Sequence, residues 1–262
     1  MNKPLQCGRF QLALDRPLIM GIVNLTDDSF SGDGLRGGAG NAIAQGLRMV
    51  EEGADILDLG AESSRPGAEP VSQQQEMDRL LPVIEGLRGC GVPLSVDTVK
   101  PGIMAAALAA GIDMINDIFA LQAPGAVEAV KASAAAVCLM HMQGEPRTMQ
   151  SDPRYGDVVA EVAAFLGARA AACTAAGIDK NRIVIDPGFG FGKTLAHNLA
   201  LLRHLDRLTA AGLPVLAGLS RKSMFGLITG RSVGDRMPAS IAAAMLAVQR
   251  GAAIVRVHDT AA

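Results

Sequence analysis

Eight short apolar runs recur along this chain, and each stops at, or within two or three residues of, a polar side chain able to do chemistry. Leu18–Val23 precedes Asn24, Ile56–Leu59 precedes Glu62, Pro93–Val96 precedes Asp97, and Ile112–Ile115 precedes Asn116. Ala136–Met140 precedes His141, Ile183–Ile185 precedes Asp186, Pro214–Leu219 precedes Ser220, and Ala252–Val255 precedes Arg256. Runs of this length read as strands. The segments between them have helical period and alanine-rich faces: Asn41–Glu52, Ser72–Leu87, Gly102–Ala110, Asp157–Ala176, Ala196–Ala211 and Pro238–Arg250. Alternating strands and helices predict repeated βαβ units and a parallel sheet. Eight such units predict a single-domain (β/α)8 TIM barrel over residues 1–262. That architecture gathers its active site at the C-terminal strand ends, where the polar residues stand.

Punctuation along the chain supports this division. EEGAD (Glu51–Asp55), AAGID (Ala109–Asp113), AAGLP (Ala210–Pro214) and QRGAA (Gln249–Ala253) each put a glycine after a helical segment and before a strand. Glycine accepts the left-handed geometry that ends helices. Gln6–Ala13 predicts a short strand or hairpin closing the N-terminal face of the barrel. Only His258–Ala262 follow the eighth run, too few for a barrel helix, so the last helix is expected to be incomplete. Two glycine-bearing polar connections, Thr26–Gly40 and Ser63–Pro70, are candidate lids that exclude water.

Composition narrows the functional classes. The chain has 262 residues, 49% of them hydrophobic, enough for one large core and close to the roughly 250 residues of a barrel. With 24 basic and 26 acidic residues, the net charge of −2 offers no field for nucleic acid or an anionic membrane. Aromatic residues make up 3% of the chain, too few for base-stacking platforms. The first ten residues carry no signal-peptide pattern and there is no uninterrupted apolar stretch of about 18 residues, so a cytoplasmic protein acting on a small molecule is expected. Cys7, Cys90, Cys138 and Cys173 form no CxxC pair and are expected to be reduced, with Cys138 in the core.

The strand endings carry the chemistry. MGIVNLTDDSF (Met20–Phe30) places Asn24 among hydroxyls and carboxylates, an oxygen-rich set that suits Mg²⁺ shared with phosphate. In GAESSRPG (Gly60–Gly67), Arg65 could grip a phosphate or carboxylate bidentately. Asp97 in SVDT, Asn116 in INDI and Asp186 in DPGFGFGK offer acceptors for the ring N–H and amino donors of a planar heterocycle. Each could equally cap the next helix. GFGFGK (Gly188–Lys193) lacks the GxxxxGK[ST] spacing of a phosphate loop. Its glycines fit close backbone approach to a flat ligand, with Phe189 or Phe191 as an apolar wall. Lys222 in SRKS, and Arg256 and His258 in RVHD, put cations on adjacent strand ends, where barrels bind phosphate. Spaced two apart, Arg256 and His258 can share one side of their strand.

MGIVN…DSFS, ESSRPGA, SVDT, INDI, LMHMQG, DPGFGFGK, SRKS and RVHD together resemble the dihydropteroate synthase family, in its order and over nearly the whole chain. The resemblance implies a TIM barrel that joins hydroxymethyl-dihydropterin pyrophosphate to para-aminobenzoate, releasing pyrophosphate, in a folate-pathway enzyme targeted by sulfonamides. It implies a pterin pocket of Asp97, Asn116, Asp186 and Lys222 with Arg256 against the ring. Pyrophosphate and Mg²⁺ fall to Asn24, Arg256 and His258 with Ser64 and Arg65, and aminobenzoate to Ser64, Arg65, Pro66, Phe191, Lys222 and Ser223. It also implies a dissociative substitution and a homodimer. The chain departs from the family's pattern at Asp27, where proline is usual, in the order Ser31-Gly32-Asp33-Gly34, and at Ser64, where threonine is usual. A pterin-dependent methyltransferase barrel shares the acidic and amide strand ends but needs neither SSRPG, SRKS nor RVHD. A non-catalytic pterin-binding protein is the reading from another class, and intact Asn24, Lys222, Arg256 and His258 argue against it.

Overall fold

The computed structural model describes residues 3–25, 38–63 and 70–262. Eight parallel strands close a barrel: β3 (Leu18–Asn24), β4 (Ile56–Gly60), β5 (Leu94–Asp97), β6 (Met114–Asp117), β7 (Ala136–Met140), β8 (Ile183–Asp186), β9 (Val215–Ala217) and β10 (Ala252–Val257), with β10 pairing β3. Each predicted run is one barrel strand. Asn24, Asp97 and Asp186 are the last residues of their strands and Asn116 the next to last, rather than lying beyond them. Those backbones are therefore held by the ladders, which aims their side chains.

Around the barrel run α1 (Gly38–Glu51), α2 (Gln73–Leu87), α3 (Pro101–Ala109), α4 (Ala126–Lys131), α5 (Val158–Ala175), α6 (Leu195–Arg203), α7 (Asp206–Thr209), α8 (Ser223–Thr229) and α9 (Met237–Gln249). Helix starts follow the chemistry of their first residues. Ser72 and Gln75 form a reciprocal capping box on α2, and Asp157 accepts from the Val159 and Ala160 amides of α5. Gly53, Gly111, Gly212 and Gly251, the predicted helix-ending glycines, all have positive φ, from 63° to 101°. α5 is long and apolar enough to cross a membrane by length and composition, yet its Val162, Leu166 and Cys173 are buried in the core outside the barrel wall.

The helices differ from the expected layout in two places, and one alternative for Asp97 falls away. Ala196–Ala211 is two helices rather than one, broken where His204 takes φ −115° and ψ 30°; the turn lets Leu205 and Leu208 both be buried. α4 and α8, of six and seven residues, were not expected, because two turns or fewer leave no period to read. Asp97 caps no helix: α3 starts at Lys100 without a side-chain cap. After β10, His258–Ala262 form a bend and a turn, and Thr260 donates to Glu52 near the end of α1.

The N-terminal hairpin, β1 (Leu5–Cys7) and β2 (Phe10–Leu12), closes the face opposite the strand ends. Leu5 and Cys7 join Leu18, Met20, Ile56, Met114, Cys138, Val184 and Ile254 in the core inside the barrel. Asp113 fastens the hairpin, accepting from the Arg9 backbone amide and Nε at 3.1 Å and from Nη2 at 3.0 Å. With the hairpin end plugged and the centre filled, the polar strand endings all stand at the C-terminal mouth.

Candidate active site

A cavity opens at the C-terminal mouth, and Asp97, Asn116, Asp186, Lys222 and Arg256 line it from five different strands or strand ends. Its apolar walls are Ile118, Met140, Phe189 and Phe191. Gly218 leaves room beside Asp186, whose Oδ2 lies 3.9 Å from where a Cβ would stand. A slot with polar acceptors at its base and aromatic rings at its side fits a flat, donor-rich heterocycle.

The centre of the site is Arg256. Its Nε donates to Asp58 Oδ2 at 2.6 Å and its Nη2 to Asp97 Oδ2 at 3.0 Å. Asn116 Nδ2 donates to the same Asp58 oxygen at 3.0 Å, while Asp58 Oδ1 has no hydrogen-bond partner among the described residues. Asp58 is fully buried, and its geometry fixes two pocket residues at once. Asp58 sits inside the run Ile56–Leu59 rather than at its end, so the pattern of polar endings does not single it out. A carboxylate within an otherwise apolar, fully buried strand was the available signal, since such a charge is kept only when paired.

Burial and neighbouring charges compete here. Burial works against the Arg256 guanidinium, but Asp58 and Asp97 outweigh it and raise its pKa, so it stays charged. Burial pushes Asp97 up, to about 7, against the pull of Arg256. Asp186 is raised by burial and held back by the Gly188 amide and by Lys222. Burial lowers Lys222 to about 8, with Asp186 opposing the shift and Arg256 adding to it. Carboxylates and cations packed this closely can exchange internal partners for those of a ligand.

The GFGFGK segment lines the cavity through Gly188, Phe189 and Phe191, and it also packs tightly against a neighbouring stretch of chain. Gly188, Gly190 and Gly192 all take positive φ, at 66°, 78° and 59°. A Cβ on Gly188 would stand 2.0 Å from the His141 carbonyl, and one on Gly192 2.3 Å from that of Gln143. The glycines thus press this loop against the chain that follows β7, and Phe191 emerges with its ring centroid 4.3 Å from Lys222 Nζ.

The remaining predicted residues are less closely gathered. Asn24 is half-buried at the end of β3, its backbone paired beside Gly60. His258 lies one residue past β10 and contacts Ser220, with Nδ1 2.9 Å from Oγ. Ser223 is exposed in the first turn of α8, outside the cavity lining. Ser64, Arg65 and Pro66, like Asp27 and Ser31–Gly34, lie outside the described residues. Before that second loop, Glu62 accepts from Lys100 at 2.7 Å, and Lys100 also reaches Glu76 at 2.6 Å. Among the described residues no group of three or more His, Cys, Asp or Glu side chains could cage a metal. A single amide oxygen such as that of Asn24 fits Mg²⁺, which takes few protein ligands and completes its shell with water and phosphate.

A family model described as pterin binding enzyme matches residues 20–258. The dihydropteroate synthase of Neisseria meningitidis serogroup C is 55% identical over 262 residues, covering 98% of this chain and 93% of that protein. The structure of Xanthomonas albilineans dihydropteroate synthase with 4-aminobenzoic acid is similar at a TM-score of 0.93 and 53% identity, covering 100% of this chain and 94% of the other. That of the Burkholderia cenocepacia dihydropteroate synthase complexed with 7,8-dihydropteroate gives a TM-score of 0.89 at 50% identity, covering 99% and 92%.

Proposed function

This chain belongs to the pterin-binding enzyme family and within it to the dihydropteroate synthases, and from that premise we propose how its residues divide the condensation of hydroxymethyl-dihydropterin pyrophosphate with para-aminobenzoate. The observation that carries the reading is the convergence of Asp97, Asn116, Asp186, Lys222 and Arg256 on one cavity. Asp97, Asn116 and Asp186 accept from the N–H groups of the pterin edge, and Lys222 donates to the ring. Arg256, already oriented by Asp58, lies against the ring and faces the pyrophosphate.

The reaction is a substitution at the pterin methylene. Its C–O bond to pyrophosphate breaks first, the carbon becomes cationic, and the arylamine nitrogen forms the new C–N bond and loses a proton. Arg256 and His258 stabilise charge on the leaving group, while Asp97 and Asp186 stabilise positive charge spread into the pterin. Asn24 would hold Mg²⁺, which when bound would offset further leaving-group charge. Phe191, Lys222 and Ser223, with Ser64, Arg65 and Pro66, receive the arylamine. The amine is neutral at pH 7, so the site has mainly to position it and exclude water.

Pyrophosphate release measured with and without para-aminobenzoate, and with and without Mg²⁺, tests this reading. Dihydropteroate formed only with both substrates supports it, and pyrophosphate release with no arylamine adduct formed when para-aminobenzoate is present rejects it. A homodimer is also part of the proposal. Leu227 and Ile228 of α8, Val233, and Met245 and Leu246 of α9 are large apolar side chains between 41% and 72% exposed, along one stretch of chain. Sedimentation should give twice the chain mass, falling to one on Met245→Glu.

A further inference from the structure

His141 stands one residue past β7, at the same end of the barrel as the pocket residues, yet it neither lines the cavity nor joins the Arg256 network. It is buried, meeting Phe165 edge-on with centroids 5.0 Å apart, and its Nδ1 stands 3.0 Å from Nζ of Lys193. That Nζ also donates to the Phe191 carbonyl at 2.8 Å and the His141 carbonyl at 3.2 Å. One buried amine therefore joins the end of β7 to the loop that carries Phe191.

Other ties act on the same loop. Tyr155 Oη donates to the Gly192 carbonyl at 2.8 Å, Gln150 donates to the Gly190 carbonyl, and Asn198 Oδ1 accepts from the Gly190 amide at 2.7 Å. The successive carbonyls of Gly190, Phe191 and Gly192 are thus held from outside, because a chain with repeated positive φ cannot satisfy them by a helix or a ladder. Burial lowers His141 to about 3 and Lys193 to about 7, as fits a shared, water-poor contact.

We propose that Lys193, seated on His141, is a positioning residue for the aminobenzoate side of the site, fixing where Phe191 meets Lys222. The role of the segment after β7 is then to brace this wall, with Tyr155 as a second tie. The inference rests on the reading of Phe191 and Lys222 as arylamine contacts. It concerns residues that touch neither substrate.

Steady-state kinetics on Lys193→Met and Tyr155→Phe test it. Lys193→Met keeps the stem and removes every hydrogen bond of the amine. Its KM for para-aminobenzoate is expected to rise at least tenfold, while that for the pterin pyrophosphate changes less than threefold. Tyr155→Phe, which removes one bond from the edge of the loop, is expected to show the same split at about threefold. Should Lys193→Met not fold, the Tyr155→Phe split decides. Equal rises in the two KM values, or wild-type values in the folded variants, overturn the inference while leaving the parent reading intact. A wild-type enzyme without aminobenzoate-dependent turnover overturns both.

Discussion

At the scale of single residues, the site works by preassembled ion pairs whose members can be exchanged for ligand groups. Asp186 has its Oδ1 committed to the Gly188 amide at 2.7 Å, which leaves the carboxylate aimed into the cavity. Asp186→Ala is expected to cost about 3 kcal/mol of pterin affinity, over a hundredfold, since a charged acceptor is lost from a buried site; calorimetry with the wild-type affinity retained would refute the assignment. Lys222 supplies a pH test. With its pKa lowered to about 8, its ammonium is lost as pH rises through that value, so pterin pyrophosphate binding should weaken above pH 8. Lys222→Arg, charged throughout that range, should flatten the profile, and parallel profiles for the two forms would count against the role. Asp97, Asn116, Asp186, Lys222 and Arg256 were legible because a polar side chain ending an apolar run is rare unless it is used. Asp58 and Lys193 were not, since what they hold is decided by partners up to 198 residues away.

At the scale of elements, strand and helix order follows from local periodicity, and glycines mark where geometry is tight. Gly188 and Gly53 both have positive φ, but a Cβ on Gly53 would meet nothing within 4 Å, whereas on Gly188 it would collide with the His141 carbonyl. Gly53→Ala should therefore cost only about 1 kcal/mol from backbone strain. Gly188→Ala should exceed about 3 kcal/mol, because the loop must also move away from β7. Urea unfolding midpoints distinguish the two, and similar shifts would contradict the crowding argument. Local periodicity does not resolve α4 and α8, nor the break between α6 and α7, where no breaker residue stands and Leu205 is buried.

At the scale of the molecule, closure of the barrel separates stability from chemistry. The hairpin plugs one face and the ligand cavity occupies the other. Asp113, 1% exposed, ties Arg9 and also accepts from the Leu94 amide at 3.2 Å. Asp113→Ala should destabilise the fold by about 2–3 kcal/mol, by leaving buried donors unpaired, yet leave both KM values within twofold. Thermal unfolding paired with kinetics checks this, and altered substrate affinity would show that the two faces are coupled.

The order of strands and helices, the barrel class and most of the polar strand endings are properties of the sequence by itself, because periodicity and helix-ending glycines act over a few residues. Which endings meet was decided only by the tertiary structure. Barrel closure and strand register bring Asp58, Asp97, Asn116 and Arg256 within 3.0 Å contacts, while His258 turns to Ser220 and His141 to Lys193. The physical reason is that pairing in a buried site depends on distances across the barrel, and spacing along the chain does not encode them.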